Sequence, residues 1–459
     1  MAGAAVVLGG VLTWPFTVDD AYIVARYAGR LAAGEGWTFQ PGPPTDGVTG
    51  PLWVLPASVA ALLGLSPILL QKALGMLCVA LSAAVAVRQM RGRARGRRAA
   101  WIAAAVLSVQ GNLAVWGGAG LETGVATLLF TALALTSSSI RRGLAAACLA
   151  GLRPELAPAV VVVLAFRRDR RAFGIALAGA MLLVAWRSAT FGALLPLSFW
   201  AKGASVGTGI AYVAFGLLVT TGAGGVLLAI QSRQRALQAA LATQLATIAL
   251  LGGDWMPGFR LLVPLLPVYA VLVADGSVRL FVRQTRRARR PEGNLLGWGL
   301  AGLLIASALA LPLLDFAVQV RPIRAAGEAR ENAAPLARRL AERASVALVD
   351  VGFLVHEGPD DVLDLGGLTD PIIARSPGGH VAKQFPIAYL AARGPEVILL
   401  HSRAQPLVVD GALRTLAGHP VERRLAASSY VREMYEVREV IRYAPDYFYV
   451  WLERRPTSP

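Results

Sequence analysis

Long apolar segments alternate with short polar loops over the first two-thirds of the chain. Most of these segments approach the ~20 apolar residues that a helix needs to cross a bilayer. They predict nine membrane spans with the approximate bounds 1–17, 67–88, 99–117, 121–139, 172–187, 209–230, 236–252, 261–282 and 294–314. A further apolar segment, 143–166, is interrupted by Arg153-Pro-Glu155. Because it is too short for two full crossings, we predict a hairpin of two half-helices there.

The pattern changes after Leu314. Apolar runs at Ala344–Asp350 and Val397–Leu400 predict buried strands, Ala333–Ala341 predicts an amphipathic helix, and Tyr447–Leu452 predicts a closing strand. The chain therefore divides into a transmembrane domain, 1–314, whose first outer loop is 18–66, and an α/β domain, 315–459. The length of the second part is typical of one domain.

Composition supports a membrane protein and raises a question about charge. Of 459 residues, 55% are hydrophobic and 16% charged, and the mean hydropathy is +0.55. A soluble domain has about 25% charged residues. The formal net charge is nevertheless +17, which in a soluble protein suggests a nucleic-acid partner. Residues 315–459 contain 18 basic and 18 acidic residues, so the whole excess belongs to residues 1–314.

Five short loops account for that excess. They contain 18 Arg and one acid, and they lie at 91–98, 141–142, 167–171, 232–235 and 283–290. The positive-inside rule places such loops in the cytoplasm. With nine crossings, the C-terminal domain is then extracytoplasmic. We therefore expect a multi-pass protein of the bacterial inner (plasma) membrane, in contact with membrane lipid and with no nucleic-acid partner.

Histidine and cysteine limit the chemistry. All four His lie in the C-terminal part, and the two Cys lie inside apolar runs, without a disulfide framework or metal-ligand spacing. A general base in the membrane part must therefore be a carboxylate. Most acids of this part, on the predicted topology, lie at its outer face.

Asp19 and Asp20 are the most distinctive of these acids. Two adjacent carboxylates at the end of a membrane helix are costly unless they are solvated or paired. Tyr22, Arg26 and Arg30 follow at a spacing that places them on one helical face. The pattern fits either a catalytic pair beside a binding face or an interfacial helix whose charges meet water and headgroups. The spacing alone leaves both interpretations open.

Several other polar residues of the membrane part are candidates for a functional site, and each also has a purely structural interpretation. Asp254, Trp255 and Arg260 share a Gly-rich loop that also fits an interfacial turn. Glu122 precedes a helix and fits dipole capping, which is the favoured interpretation. Further candidates are Lys202, for a phosphate or a headgroup, and the hairpin residues Arg153 and Glu155, which could neutralise each other. In the C-terminal domain, Asp370, His380 and Lys383 fit ordinary loop chemistry.

Taken in order, these stretches resemble the GT-C membrane glycosyltransferases that use polyprenyl-phosphate sugars, and more closely the group related to the mycobacterial terminal β-(1→2)-arabinofuranosyltransferase. The matching stretches are Asp19–Ala28, Gly34–Trp37, Gly120–Thr123, Arg153–Glu155, Gly192–Lys202, Gly252–Pro267 and Gly367–Arg375 with His380. Two departures are Asp46-Gly-Val-Thr49, where the family often has Glu-Gly-Tyr-Thr, and Leu156, where it usually has Gly.

The resemblance implies a GT-C fold and a glycosyltransferase of the cell envelope. It assigns catalysis to Asp19 and Asp20, and it implies a polyprenyl-phosphate-linked sugar donor, with arabinofuranose favoured, and a glycan, lipid or protein acceptor at the outer face. Arg26, Lys202 or Arg260 would bind phosphate. The aromatics Trp37, Trp200 and Trp255 would contact sugar or lipid, and Asp370, His380 and Lys383 would help to bind the acceptor.

Two other functions remain as alternatives. A transporter or flippase of lipid-linked sugar would use the same lipid pocket without transfer chemistry, but it would favour inverted repeats, which the sequence lacks. An assembly factor would leave the Asp pair unexplained. The sequence identifies no cofactor, and it leaves open the participation of a divalent metal, the stereochemistry of transfer and the choice between Asp19 and Asp20.

Overall fold

The computed structural model describes residues 1–92, 96–203, 205–287 and 292–456, and the regular secondary structure of the membrane part within these ranges is helical. Parts of the predicted Arg-rich loops 91–98 and 283–290 lie outside the described residues. The helices up to the C-terminal domain are α1 (Ala2–Leu12), α2 (Asp19–Ala32), α3 (Val54–Leu62), α4 (Pro67–Arg91), α5 (Gly96–Ser108), α6 (Gly111–Gly118), α7 (Thr123–Leu135), α8 (Ser139–Leu152), α9 (Ala157–Arg167), α10 (Arg170–Phe191), α11 (Leu197–Ala201), α12 (Val206–Ile230), α13 (Arg235–Leu250), α14 (Leu266–Arg287) and α15 (Glu292–Asn332).

Several of these helices are long and apolar enough to cross a membrane. Within the described residues there are five, or six if α5 and α6, which meet at a bend of 59°, form one broken span. The five are Pro67–Arg91, Arg170–Phe191, Val206–Ile230, Arg260–Thr285 and Gly299–Asn332. The chain is therefore a multi-pass membrane protein. The count of nine crossings stays a prediction, because α1, α7 and α13 are shorter than a full span.

Local sequence explains where the important helices begin and end. The hydroxyl of Ser66 accepts a hydrogen bond from the Leu69 amide, and Pro67 occupies the first position of α4. Helix α8 ends at Arg153 because a residue before proline is disfavoured in the helical region. The chain then makes a short 3-10 turn, Pro154–Leu156, before α9 begins. The predicted hairpin thus consists of two helices broken at Arg153-Pro-Glu155.

The C-terminal domain contains a five-stranded sheet with the order β2-β1-β3-β7-β6. Strands β1 and β2 are parallel, as are β1 and β3, whereas β7 runs antiparallel to β3 and β6. Strands β4 and β5 form a separate hairpin. The elements are α16 (Ala334–Ala341), β1 (Ser345–Leu348), β2 (Asp361–Asp364), α17 (Pro371–Arg375), α18 (Ile387–Arg393), β3 (Val397–Ser402), β4 (Leu407–Val409), β5 (Ala412–Thr415), α19 (Pro420–Ala427), α20 (Ser429–Met434), β6 (Tyr435–Ala444) and β7 (Tyr447–Arg454).

The two faces of this sheet have different partners. Alternate residues of a strand point to opposite faces. Ile398 and Leu400 of β3 therefore join a core inside the C-terminal domain. Val397 and Leu399 join a second core, which also contains Ile23 of α2 and other apolar residues of the first outer loop. The sheet and the outer loop thus bury one apolar core together, and this fixes the C-terminal domain over the start of α2.

Helix α15 connects the two parts without interruption. The predicted division between 314 and 315 falls inside this helix, which continues to Asn332. Arg330, near its end, donates a hydrogen bond to the Thr17 carbonyl just before α2. The sheet is therefore tied to the outer loop through this helix as well as through the shared core.

The side chain of Arg26 joins the first outer loop to the C-terminal domain through hydrogen bonds. This side chain is buried, and its guanidinium donates to the carbonyl oxygens of Phe39 at 2.6 Å, Pro359 at 2.7 Å and Val355. The family resemblance implies that Arg26, Lys202 or Arg260 binds phosphate. In the structure the donors of Arg26 bind backbone carbonyls instead, so its geometry points to a role in positioning the first outer loop against the C-terminal domain.

We expect Arg26→Met to destabilise the protein. The substitution leaves buried carbonyl oxygens without donors, and a single unsatisfied buried polar group costs about 1–3 kcal/mol. The apparent melting temperature in detergent, followed by tryptophan fluorescence, should fall by several degrees. Arg30→Met is the matched control one turn later, because Arg30 pairs with the exposed Glu35 and donates to the Thr38 hydroxyl, both within the same loop. An equal loss in both variants would contradict the anchoring role.

Candidate functional site

Six charged side chains from four separate segments converge near the start of α2. The segments are the first turn of α2, the loop before α7, the break between α8 and α9, and the loop before α14. The residues are Asp20, Glu122, Arg153, Glu155, Asp254 and Arg260. We call this group the charged cluster. All six were candidates from the sequence, and folding brings them together from positions up to 240 residues apart.

Two arginines organise the charged cluster. Arg153 contacts Glu122 (Nη1 to Oε1, 3.0 Å) and Glu155 (Nε to Oε1, 2.6 Å). Arg260 contacts Asp254 (Nε to Oδ2, 2.8 Å) and lies close enough to Asp20, Glu122 and Glu155 to interact with their charges. Four carboxylates thus face two guanidinium groups, and both arginines are buried. The arrangement provides cations and bases in one water-poor place, which is what transfer from a phosphate requires.

Three buried polar atoms of the charged cluster make no hydrogen bond within the described residues. Arg153 Nε, Arg260 Nε and Asp254 Oδ2 are buried, and none has a partner with hydrogen-bond geometry in the described part of the chain. Each nevertheless contacts its ion-pair partner closely, so the charges are neutralised while the hydrogen bonds are misaligned. Buried polar atoms without hydrogen bonds are uncommon and call for an explanation. A polar ligand at this place would supply one.

The loop before α14 holds Asp254 and Arg260 through tight turns. Gly252 and Gly253 have φ of 87° and 75°, in the left-handed region that favours glycine. The indole of Trp116 donates to the Pro257 carbonyl at 3.0 Å, and its ring lies under the Arg260 guanidinium at 5.5 Å. This stacking fixes the direction of Arg260.

Asp19 and Asp20 have different environments. Asp19 accepts hydrogen bonds at 3.0 Å from the backbone amides of Gly352 and Phe353 in the C-terminal domain. Burial raises the pKa of its carboxyl, and the nearby Arg330 lowers it in part. Asp20 is partly exposed and faces Arg260. Across the described ranges it has neither a hydrogen bond nor an ion pair, so its carboxylate is available to a ligand.

Four further candidates of the membrane part lie outside the charged cluster. Tyr22 packs edge-on against Phe353 and His356. Arg30 pairs with Glu35. Trp37 is buried against Trp186, with ring centroids 4.9 Å apart. Lys202 is exposed.

Trp255 lines a groove beside the charged cluster. The groove has a volume of about 560 Å³ and is lined by Thr208, Ala211, Tyr212, Phe215, Gly252, Asp254 and Trp255. Trp255 and Phe215 are 76% and 59% exposed. An apolar groove with one carboxylate in its lining suits a ligand that is part lipid and part polar.

The three candidates of the C-terminal domain make contacts within its loops. Asp370 caps α17 by accepting from the amides of Ile372 and Ile373, both at 2.9 Å. Lys383 is buried, and its ammonium donates to three carbonyls, including that of Trp200 in the membrane part at 3.1 Å. His380 Nδ1 lies 2.9 Å from the Gly366 carbonyl oxygen. These contacts stabilise loops of the C-terminal domain, and none of them is with a residue of the charged cluster.

The structure also places residues that the sequence analysis missed. Arg187, near the end of α10, forms a buried ion pair with Asp46 (Nε to Oδ2, 2.8 Å), and burial raises the pKa of Asp46 to about 6. A lone arginine at the end of an apolar span was the signal for this pair. Tyr212 accepts a hydrogen bond from the Leu261 amide at 3.2 Å, next to Arg260. Tyr212 lies inside the apolar helix α12, and the residues around it in the sequence gave no indication that it contacts the site.

Comparisons with known proteins support the fold. Residues 319–451 match a family model described as a domain of unknown function (DUF8728). No curated protein matches the sequence. The crystal structure of ArnT from Cupriavidus metallidurans in the apo state is similar over 98% of this chain and 97% of that one, with a TM-score of 0.52 and 13% identity.

Two further solved structures are similar to this chain. ArnT bound to undecaprenyl phosphate matches with the same TM-score and identity, over 75% of this chain and 81% of that one. The arabinosyltransferase EmbB from Mycobacterium smegmatis has a TM-score of 0.43 and 14% identity, over 71% of this chain and 40% of that one. At such sequence identities a structural likeness shows the fold alone. The TM-score of 0.52 shows that this chain and ArnT share a fold. The GT-C fold that the sequence resemblance implied is thereby confirmed.

Proposed function

We propose that this protein is an integral-membrane glycosyltransferase that moves a sugar from a polyprenyl phosphate to an acceptor hydroxyl. The observation that carries the proposal is the charged cluster beside an exposed apolar groove, with Asp254 belonging to both. Such a place suits a ligand with a lipid tail and an anionic headgroup. The shared fold adds support, since ArnT has been crystallised with undecaprenyl phosphate.

The donor phosphate would bind between the two arginines. Arg260 and Arg153 are buried, and their Nε–H groups have no aligned acceptor among the residues that the structure describes. Cations near a departing phosphate stabilise the negative charge that develops on its oxygen. The groove beside Trp255 and Phe215 would hold the first isoprenyl units, because its wall is apolar and exposed.

Asp20 would accept the proton of the acceptor. The hydroxyl oxygen of the acceptor attacks the anomeric carbon, and the bond from that carbon to the phosphate oxygen breaks. The electron pair leaves with polyprenyl phosphate, and the hydroxyl proton passes to the Asp20 carboxylate. Positioned carboxylates serve as such bases. Asp19 would assist indirectly by holding α2 against the C-terminal domain.

The finer features of the proposal rest on the sequence. The Arg-rich loops favour the cytoplasm, which places the charged cluster and the C-terminal domain on the outer side of the bacterial inner membrane. The family resemblance favours arabinofuranose as the sugar, and the acceptor is a glycan, a lipid or a protein. A transporter of lipid-linked sugar is the alternative function.

Transfer of a radiolabelled sugar tests the proposal. Membranes that contain the protein are supplied with polyprenyl-phosphate sugars, including arabinofuranose, and with cell-envelope glycan fragments as acceptors. We expect label to move into the acceptor fraction, in amounts that scale with the protein. Translocation of donor across sealed vesicles without any transfer would favour the transporter and contradict the proposal.

A further inference from the structure

Three side chains with metal-binding atoms meet in the C-terminal domain, away from the charged cluster. They are His401 in β3, His419 directly before α19, and Glu422 in the first turn of α19. One ligand atom from each, an imidazole nitrogen or a carboxylate oxygen, lies within 4.8 Å of the other two. The described residues contain no second group of this kind. None of the three had been a candidate from the sequence, because the histidines are separated by 18 positions.

The surroundings of the three residues combine burial with access. His401 and Glu422 are 3% and 1% exposed, whereas His419 is partly exposed. The two imidazole rings are 4.0 Å apart between centroids. An ion can therefore reach the group from the side of His419, and water can take a fourth position. Two His and one Glu with an open position form a recurrent zinc ligand set.

The carboxylate of Glu422 is already oriented. Its Oε1 accepts from the backbone amide of His401 and its Oε2 from that of His419, both at 2.8 Å. Hydrogen bonds of this kind around a ligand fix its direction and strengthen metal binding. His401 is held in turn by the ring of Tyr447, which stacks on it at 5.2 Å.

The contact between His401 Nδ1 and Glu422 Oε2 indicates how an ion would enter. A divalent ion would bind this nitrogen and this oxygen together, and any proton that either atom carries would pass to water. The positive charge of Arg403 lies close to His419 and opposes a cation. We therefore expect reversible rather than irreversible binding.

We propose that His401, His419 and Glu422 form a zinc-binding site that joins the end of β3 to the start of α19. The proposal is independent of the glycosyltransferase function, because none of its ligands contacts the charged cluster. The competing arrangement is a permanent hydrogen bond between His401 and Glu422 with no ion.

Metal content of the full-length protein in detergent tests the proposal. The protein is purified with a tag that contains no histidine, stripped with a chelator, and dialysed against Zn²⁺. Mass spectrometry of the metal should find one zinc per chain, and Co²⁺ in its place should give visible absorption bands typical of low coordination number. His419→Ala and Glu422→Gln should each lower zinc affinity by at least about tenfold.

His356→Ala is the control, because His356 belongs to the same domain but lies outside the group. It should bind zinc like the parent. Since Glu422 also caps α19, the partly exposed His419 provides the variant that is expected to fold normally. No zinc above the buffer level in the parent protein would overturn the proposal, and so would unchanged binding in both variants.

Discussion

Asp20→Asn is expected to reduce sugar transfer by about 10³-fold, within the range of 10²–10⁴ that general acid–base catalysis contributes. The amide has nearly the shape of the carboxylate but cannot accept a proton at neutral pH. Asp20 is partly exposed and has no bond within the described part of the chain, so the substitution should cost little stability. Initial rates of label transfer in membranes with equal amounts of protein provide the measurement.

Asp19→Asn separates the two members of the pair. The Gly352 and Phe353 amides donate to different oxygens of Asp19, so the single amide oxygen of Asn keeps one of these hydrogen bonds, and loss of the other costs about 1–3 kcal/mol of stability. The lost attraction to Arg330 acts over 3.7 Å between partly exposed groups and contributes about 0–1 kcal/mol. Neither change removes a group from the reacting atoms, so at equal amounts of folded protein we expect a loss of transfer of less than about tenfold. Glu35→Gln, in the same outer loop, is a control for removal of one negative charge. A larger loss in the Asp19 variant than in the Asp20 variant would reverse the assignment.

Arg260→Gln is expected to reduce transfer by about 10²–10³-fold and also to destabilise the protein. The transfer loss follows from removal of a buried cation at the departing phosphate. The stability loss follows because Asp254 would remain buried without its partner, which costs about 3–5 kcal/mol. The measurements are transfer rate and apparent melting temperature of the same preparation.

A double variant distinguishes these two effects. Arg260→Gln combined with Asp254→Asn removes both charges of the pair, so stability should return toward that of the parent. Transfer should stay low, because the cation is still missing. Arg279→Gln is the matched control, since Arg279 pairs with Asp275 in the same helix, at 2.9 Å, outside the charged cluster. Recovery of transfer together with stability would show that Arg260 acts only through folding.

Much of the membrane part could be predicted from the sequence because its causes are local. Apolar length sets the positions of α4, α10, α12 and α14, and the break at Arg153 follows from Pro154. The six residues of the charged cluster were recognised as unusual for the same reason, since a charge beside an apolar segment is costly wherever the segment packs. Their grouping, and the different hydrogen-bond surroundings of Asp19 and Asp20, were not predictable.

The sequence by itself determined that this is a multi-pass membrane protein with a C-terminal sheet, and it singled out the acids and arginines of the site. Only the tertiary structure decided which of them meet. It directed Asp19 to the Gly352 amide and Arg26 to backbone carbonyls, and among the described residues it left Asp20 near Arg260 without a hydrogen bond. The physical reason is that burial and hydrogen-bond partners come from segments far apart in the chain, whereas hydrophobic length and helix ends depend on neighbouring residues.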